Sequence, residues 1–575
     1  MHKSLRLHRW AIILIFICVS LTVINAFNAT LKFSGIDTPN HFLFSIEFYN
    51  PMINLWHDVT IPWWAKIKET LIIATQPVHC SNIYWPNGFN AVAALFYGIF
   101  NPSIEAARMA MIVFLALLLM SVYGVGTRLY GRGVGIFAVV LTFLTPMIFQ
   151  SAIQPQLDLP VTAFITCTLY FMLRSNYFSS WKASLLFGII LGVGSHMKGQ
   201  ALFFLAVPII FYIEKSIING WRKRESKGFL LDIVCNMVIA FSVGGLIASM
   251  WWVSQWNSGG LIDSLHEHVL DPEKAFETPF LFREKYTIKL LTFHIRTLAK
   301  AMGPLLYGFF IISFAFGIMK RKINRMLISW VLIPLALFSF AVTIKHTRFL
   351  MPIIPAAAII MSVFACSIRR IWLRYFLCVI IVIYGIIQFY ALSFDKGEMR
   401  DMQVLEQPLF GRTHYEDQRE YYEDLKADEL VQEARKLVEA GKDIKIGLIN
   451  LTYEHSNMLK YSALLMAEDS RVYINRFQEL YGAYEKWFER NQFLLFVIPK
   501  DYPHEWPSDE NIHKYIKLLQ EDQRQPEVTE GLKKVPHLLL ENKNRFEFVK
   551  AFETTNPEAG DYVHLLYKKK VDVEL

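Results

Sequence analysis

Runs of roughly twenty apolar residues recur along this chain until about Ser393 and then stop, and that is the helix length the ~30 Å hydrocarbon core of a bilayer demands. Inside lipid the backbone has no water to bond, so segments of this kind are held to the α-helix. The runs fall near 10–31, 104–127, 133–151, 157–173, 182–197, 200–214, 229–253, 301–319, 326–343, 349–367 and 372–393, which predicts about eleven spans. A composition of 54% hydrophobic and 15% aromatic residues in 575 fits a polytopic membrane protein and not a soluble one. The first run follows Lys3, Arg6 and Arg9 in the manner of a signal peptide, but its length favours a retained first helix.

Charge gives the orientation. The formal net charge of +8 is carried in short clusters between apolar runs. Those clusters are Arg128 with Arg132, Arg174 with Lys182, Arg222 to Lys227, Lys320 to Arg325, and Arg369, Arg370 and Arg374. Lys and Arg accumulate on cytoplasmic loops, so every second loop reads as inner and the N-terminus as cytoplasmic. This is a topology signal, and no nucleic-acid partner is read from it. An odd number of spans then places the C-terminal part outside, together with the loops 32–103 and 254–300. Five of the cysteines (Cys18, Cys167, Cys235, Cys366, Cys378) lie within apolar runs, without a CxxC pair, and give neither a disulfide framework nor a zinc site.

Within the first outer loop, WHDVTIPWWAKIKE sets Trp56, Trp63 and Trp64 around charges and predicts a helix in the headgroup layer. After Ser393 the composition turns charged. KADELVQEARKLVEAG and NIHKYIKLLQED carry helical periodicity, and DIKIGLINL, RVYINRF, QFLLFVIPK, FEFVKAFE and YVHLLYKKK read as strands. The expected architecture is a polytopic α-helical membrane domain over 1–393 followed by a soluble, extracytoplasmic α/β domain over 394–575.

Polar residues return to one side of this topology. Asp37 follows the first span and stands beside His41; Asp158 precedes Pro160 at the start of the fourth span. His196 and Lys198 sit at the next outer turn, and Lys345, His346 and Arg348 precede Pro352 and Pro355. Ionisable groups at membrane depth are costly unless paired or hydrated, which makes them site candidates. Plainer readings stand beside this one: Asp37 as a helix cap, Asp158 as a first-turn acid facing the helix dipole, Lys198 as a residue reaching to the headgroups. Two acids and a basic cluster on one face suit a transfer in which a carboxylate takes the attacking proton and Lys or Arg neutralises a departing phosphate. A nucleotide fold is absent from that face, so the donor is expected to reside in the membrane.

On these residues the sequence resembles the GT-C class of polyprenyl-phosphate-sugar glycosyltransferases, the superfamily of protein O-mannosyltransferases and the aminoarabinose transferase of lipid A. The resemblance runs over roughly 10–393 and rests on Asp37 in the first outer loop, the passage Tyr84, Trp85, Pro86, then Pro146, Asp158, Gly194, Lys198 and HTRFLMPIIP. It implies a multi-pass enzyme of the cytoplasmic (inner) membrane. The enzyme would move a sugar from a polyprenyl-phosphate donor to a lipid, glycan or protein acceptor at the outer face, with inversion. By carry-over Asp37 activates the acceptor, Asp158 supports it or orients the sugar, and Lys198, His346 and Arg348 hold the lipid phosphate. His41, Glu47 and Tyr84 are accessory candidates. Members commonly carry Asp then Glu in the first loop, whereas Thr38 follows Asp37 here, leaving open whether Glu47 or Asp58 assists.

Two alternatives stay beside this reading. His266 and His268, with Asp263, Glu267 and Asp271, offer a weak metal site, although the histidine spacing is not the i, i+4 of a helical zinc motif; no cofactor is assigned, and a divalent ion remains an alternative. A lipid-linked sugar transporter or flippase with an outer domain is the other; it calls for internal repeats and for charged or helix-breaking residues near the bilayer midplane, whereas no repeat relates the two halves and the polar residues cluster at the outer ends of the spans.

Overall fold

The apolar runs fold as helices, and the change of composition after Ser393 marks a change to strands. The structure is a computed structural model that describes residues 2–28, 37–75, 86–222, 227–257, 293–340, 347–394, 403–404, 407–410, 427–438, 444–449, 472–476, 493–499, 545–554 and 562–570. The chain divides into two units, one of Met1–Ala29 with Phe44–Tyr415 and one of Thr30–Leu43 with Glu416–Leu575.

The first eleven helices are α1 (His2–Asn28), α2 (Asp37–His57), α3 (Trp63–Thr75), α4 (Gly88–Phe100), α5 (Ile104–Tyr130), α6 (Arg132–Phe143), α7 (Pro146–Ser151), α8 (Asp158–Arg174), α9 (Trp181–Ser195), α10 (Ala201–Arg222) and α11 (Lys227–Asn257). They are followed by Phe293–Met302, Pro304–Met319, Arg325–Phe340, a 3-10 helix Thr347–Ile353, Ile354–Ser367 and Ile371–Ser393. Six stretches are long and apolar enough to cross a membrane: His8–Phe27, Ile104–Tyr130, Ala201–Arg222, Leu230–Val253, Thr347–Ser367 and Ile371–Ser393. Phe293–Met302 and Pro304–Met319 make a seventh if taken as one span bent by 117°. The bend falls at Gly303, whose φ of +84 favours glycine.

By length, then, the described residues hold six or seven spans and not eleven. The other expected spans are present as shorter helices: Arg132–Phe143 of 12 residues, Asp158–Arg174 of 17, Trp181–Ser195 of 15 and Arg325–Phe340 of 16. At ~1.5 Å per residue these stop short of the hydrocarbon thickness. The expected span 133–151 is cut where Thr145 precedes Pro146, since a proline sterically turns the preceding residue out of the helical region.

Helix α5 lies at the heart of this unit, packed against α8, α6, α1 and α4. Ser103 caps it by accepting a hydrogen bond from the Ala106 amide. Buried Arg108 donates to the carbonyls of Ala26 (2.9 Å) and Ile153 (3.1 Å), tying the end of α1, the start of α5 and the segment ahead of α8 at one end of the bundle. Side chains from Leu117 to Arg128 and from Cys167 to Phe171 line a common cavity, so α5 and α8 run parallel and end together at the opposite end. Several hydroxyls inside the bundle bond their own helix, as Thr162 does to the Asp158 carbonyl at 2.7 Å and Thr166 to Thr162 at 2.8 Å, which satisfies them without water.

Helices α9 and α11 meet backbone to backbone. A Cβ on Gly188 would collide with the Ala240 carbonyl, and one on Gly244 would lie 2.8 Å from the Gly188 oxygen. Small residues permit this approach where lipid supplies no hydrophobic drive between helices. Gly188→Leu is therefore expected to lower the thermal unfolding midpoint in detergent, with overpacking costing about 1–3 kcal/mol. Gly98→Leu, where an added Cβ meets nothing within 4 Å, is the matched control and should leave the midpoint in place.

In the second unit, strands β3 (Ile444–Ile449), β4 (Val472–Arg476), β5 (Phe493–Pro499), β6 (Phe546–Thr554) and β7 (Tyr562–Lys569) form one sheet in the order β4-β3-β5-β7-β6; β1 (Gln403–Val404) and β2 (Gln407–Pro408) pair separately in the first unit. β4, β3 and β5 are parallel, and β5 to β7 and β7 to β6 are antiparallel. A bulge at Phe548/Lys550 interrupts the last pair. Each strand of the five-stranded sheet falls on a run expected from its β-branched and aromatic residues, and the helix Ala427–Lys436 falls on KADELVQEARK. NIHKYIKLLQED lies outside the described residues.

Candidate functional site

The site is built around the first residue of α8. A buried polar segment, with Gln150, Ser151, Gln154 and Gln156, leads into it, and Pro160 occupies the first turn, where a missing N–H costs nothing. Asp158 is 2% exposed. Its carboxylate does more than face the helix dipole: Oδ1 lies 2.8 Å from Lys198 Nζ, and Oδ2 lies 3.6 Å from Arg348 Nε.

Lys198 comes from the turn between α9 and α10. The amides of His196 and Met197 bond back to Val193 and Gly194, and the Lys198 carbonyl accepts from Ala201. Two further bonds pin this turn to its neighbours: the Gly88 amide donates to the His196 carbonyl at 2.9 Å, and His196 Nε2 donates to the Ile247 carbonyl at 2.8 Å. His196, a polar residue at an outer turn by sequence, thus serves to hold the loop that carries Lys198. Arg348 comes from the 3-10 helix Thr347–Ile353. Pro352 lies within it and Pro355 stands in the first turn of the helix that follows. The two prolines fix φ on either side of the junction, so the segment carrying Arg348 enters the site at a set angle.

Phe349 completes the cluster. Its ring centroid is 4.6 Å from Lys198 Nζ and 5.9 Å from Arg348 Cζ, within cation–π range. The side chains differ in access in a way that decides their parts: Asp158 keeps 3% of its surface, whereas Lys198 keeps 15% and Arg348 12%. A sealed carboxylate holds two cations that each retain an accessible face. Chemically such an arrangement can receive an anion, because charge-assisted donors already oriented need little reorganisation to take one.

Sequence reasoning thus found three residues that the fold brings together: Asp158, Lys198 and Arg348. Asp37 is the first residue of α2, and its side chain lies outside the described residues, as does that of Glu47. His41 is buried on the same helix. Tyr84, His266, His268 and His346 lie outside the described residues. Asp58 is exposed and accepts from the Thr60 hydroxyl at 2.6 Å and amide at 2.9 Å. Those two bonds, hydroxyl first, with Lys66 nearby, hold its carboxyl below the usual range. It is a turn acid, and Lys66 beside it donates to the Trp56 carbonyl at 2.8 Å to join α2 and α3. Among the described residues no three His, Cys, Asp or Glu side chains converge as a metal would require.

The reading missed His294. It is fully buried in Phe293–Met302, edge-on to Phe338, which in turn packs on Phe349 at 5.9 Å between ring centroids. The signal was available in FHIRTLAKAM, whose strong helical amphipathicity sets His294 and Leu298 on one face.

Residues 86–244 match the family model described as Dolichyl-phosphate-mannose-protein mannosyltransferase. No curated protein matches the sequence. Among solved structures, ArnT from Cupriavidus metallidurans bound to undecaprenyl phosphate is 12% identical with a TM-score of 0.56, over 97% of this chain and 98% of that one. The archaeal oligosaccharyltransferase AglB from Archaeoglobus fulgidus, in complex with an inhibitory peptide and a dolichol-phosphate, is 11% identical with a TM-score of 0.52, over 96% of this chain and 74% of that one. At these identities the likeness is one of fold.

Proposed function

On a chain that carries the fold of the GT-C glycosyltransferases, we propose an integral-membrane enzyme that moves a sugar from a polyprenyl-phosphate donor to a lipid, glycan or protein acceptor at the outer face of the cytoplasmic membrane. The observation that carries the reading is the Asp158, Lys198 and Arg348 cluster, with its two accessible cations around one sealed carboxylate. Support comes from the solved relatives, one bound to undecaprenyl phosphate and one to a dolichol-phosphate.

In this mechanism the acceptor oxygen or nitrogen attacks the anomeric carbon as the bond from that carbon to the lipid-phosphate oxygen breaks, with inversion. The bonding pair leaves with the phosphate, which Lys198 and Arg348 neutralise, and His346 supplies a further donor. Asp37 takes the proton of the acceptor. Asp158 acts through the two cations it holds. The proposal assigns no role to a divalent ion. It keeps eleven crossings, the shorter helices being sheltered by longer neighbours, with the N-terminus in the cytoplasm and the sheet-bearing unit outside.

Arg348→Ala tests the phosphate assignment. Loss of one charge-assisted contact should weaken apparent donor affinity by about 10- to 100-fold. An unchanged donor affinity in reconstituted membranes would remove Arg348 from the phosphate site.

A further inference from the structure

At the end of the bundle away from Asp158, the C-terminus of α5 meets the turn between Pro304–Met319 and Arg325–Phe340. Leu129, Tyr130, Lys215, Arg321, Lys322, Ile323, Asn324 and Arg325 line an open concavity of about 350 Å³ there. Four of these eight are cations, from three separate elements, and none is acidic. Among the described residues none of the four forms an ion pair.

Charge on a loop is all that a topology signal needs, and this turn has much more. The Lys322 amide donates to the Gly317 carbonyl at 2.9 Å and the Arg321 amide to Ile318 at 3.0 Å, the paired bonds of a Schellman cap. Arg321 takes the left-handed position of that cap at φ +52, a place where glycine is the usual residue. Tyr130 Oη accepts from the Asn324 amide at 2.7 Å, and Asn324 Oδ1 accepts from Met326 at 3.1 Å, which locks the turn to α5 and to the next helix. Lys322 lies 5.5 Å from the Phe316 ring. Arg325 opens a helix, where the dipole disfavours a cation. A fixed turn that accepts both costs in order to gather cations is a built anion site.

Basic pockets between membrane helices receive lipid headgroups, and this one has apolar surface to match. On α10, going from Lys215 towards the bilayer centre, Phe211 is half-buried and Ile210 is exposed. We propose that Lys215, Arg321, Lys322 and Arg325 bind the phosphodiester headgroup of an anionic phospholipid in the leaflet at this end, whose acyl chains lie along α10. The site is independent of the sugar-transfer reading.

The test titrates the purified full chain with phosphatidylglycerol or phosphatidylcholine and reads bound lipid by native mass spectrometry. Phosphatidylglycerol should bind in preference, and Arg321→Gln with Lys322→Gln and Arg325→Gln should weaken it about 100-fold, from three charges removed. Arg369→Gln with Arg370→Gln and Arg374→Gln, an equal loss of charge elsewhere, should leave it within about threefold. Equal losses in both variants would mean a diffuse surface potential and overturn the site. Full displacement of the lipid by millimolar inorganic phosphate would assign the pocket to a free anion and overturn the lipid. If the triple variant does not match the wild-type unfolding midpoint in phosphatidylcholine, Lys215→Gln alone carries the test, and undiminished binding by it overturns the proposal.

Discussion

Asp37→Asn is expected to reduce sugar transfer by about 10²- to 10⁴-fold, the range that loss of a positioned general base spans, while donor binding stays as it was. Asp37 is the first residue of α2, and asparagine keeps the shape of its side chain while removing the capacity to accept a proton; the accompanying loss of a first-turn charge costs only about 0.3–1 kcal/mol. Glu47 and Asp58 are the competing acids. Asp58 is already bonded to Thr60, so Asp58→Asn should leave transfer near wild type. Full activity in Asp37→Asn, measured with reconstituted protein and a lipid-phosphate donor, would take the base away from this residue.

Asp158→Ala is expected to cost up to about 3 kcal/mol of stability, because it leaves two partly buried cations without the carboxylate that holds them. The effect should be strongly non-additive with Lys198→Met: once the ammonium is gone, removing the carboxylate costs much less. Thermal unfolding of the two single variants and the double variant in detergent reads this coupling directly. Additive losses would mean that the 2.8 Å contact between Lys198 and Asp158 contributes nothing of its own. Asp158→Ala should also weaken donor binding, since it frees Lys198 and Arg348 from their set positions over Phe349.

The convergence of Asp158, Lys198 and Arg348 was legible because each is an ionisable residue at the end of an apolar run, where only a partner or a ligand makes it affordable. The five strands of the sheet were legible for a comparable reason: runs such as FLLFVIP and YVHLLYKK state their burial outright. The lengths of the helices were not. Hydropathy reports apolar character and is blind to where a helix ends, so Leu144 to Pro146 passed as the middle of one span when it separates α6 from α7. The division of the chain was hidden as well. Thr30–Leu43 groups with Glu416–Leu575 across hundreds of residues of sequence, and no local pattern encodes so distant a pairing. Phe349, which lies against both Lys198 and Arg348, enters the sequence reading only as the apolar residue after Arg348 in HTRFLMPIIP, with nothing there to place its ring on the two cations.

The central claim is that Lys198 and Arg348 hold the phosphate of a polyprenyl-linked sugar. Mass spectrometry of lipid retained by the full chain purified from membranes tests it most directly. The account predicts a polyprenyl phosphate, with or without its sugar, in the wild type and its loss from the Lys198→Ala, Arg348→Ala double variant. A polyprenyl phosphate retained equally by both proteins, or none in either after incubation with the donor, would contradict it.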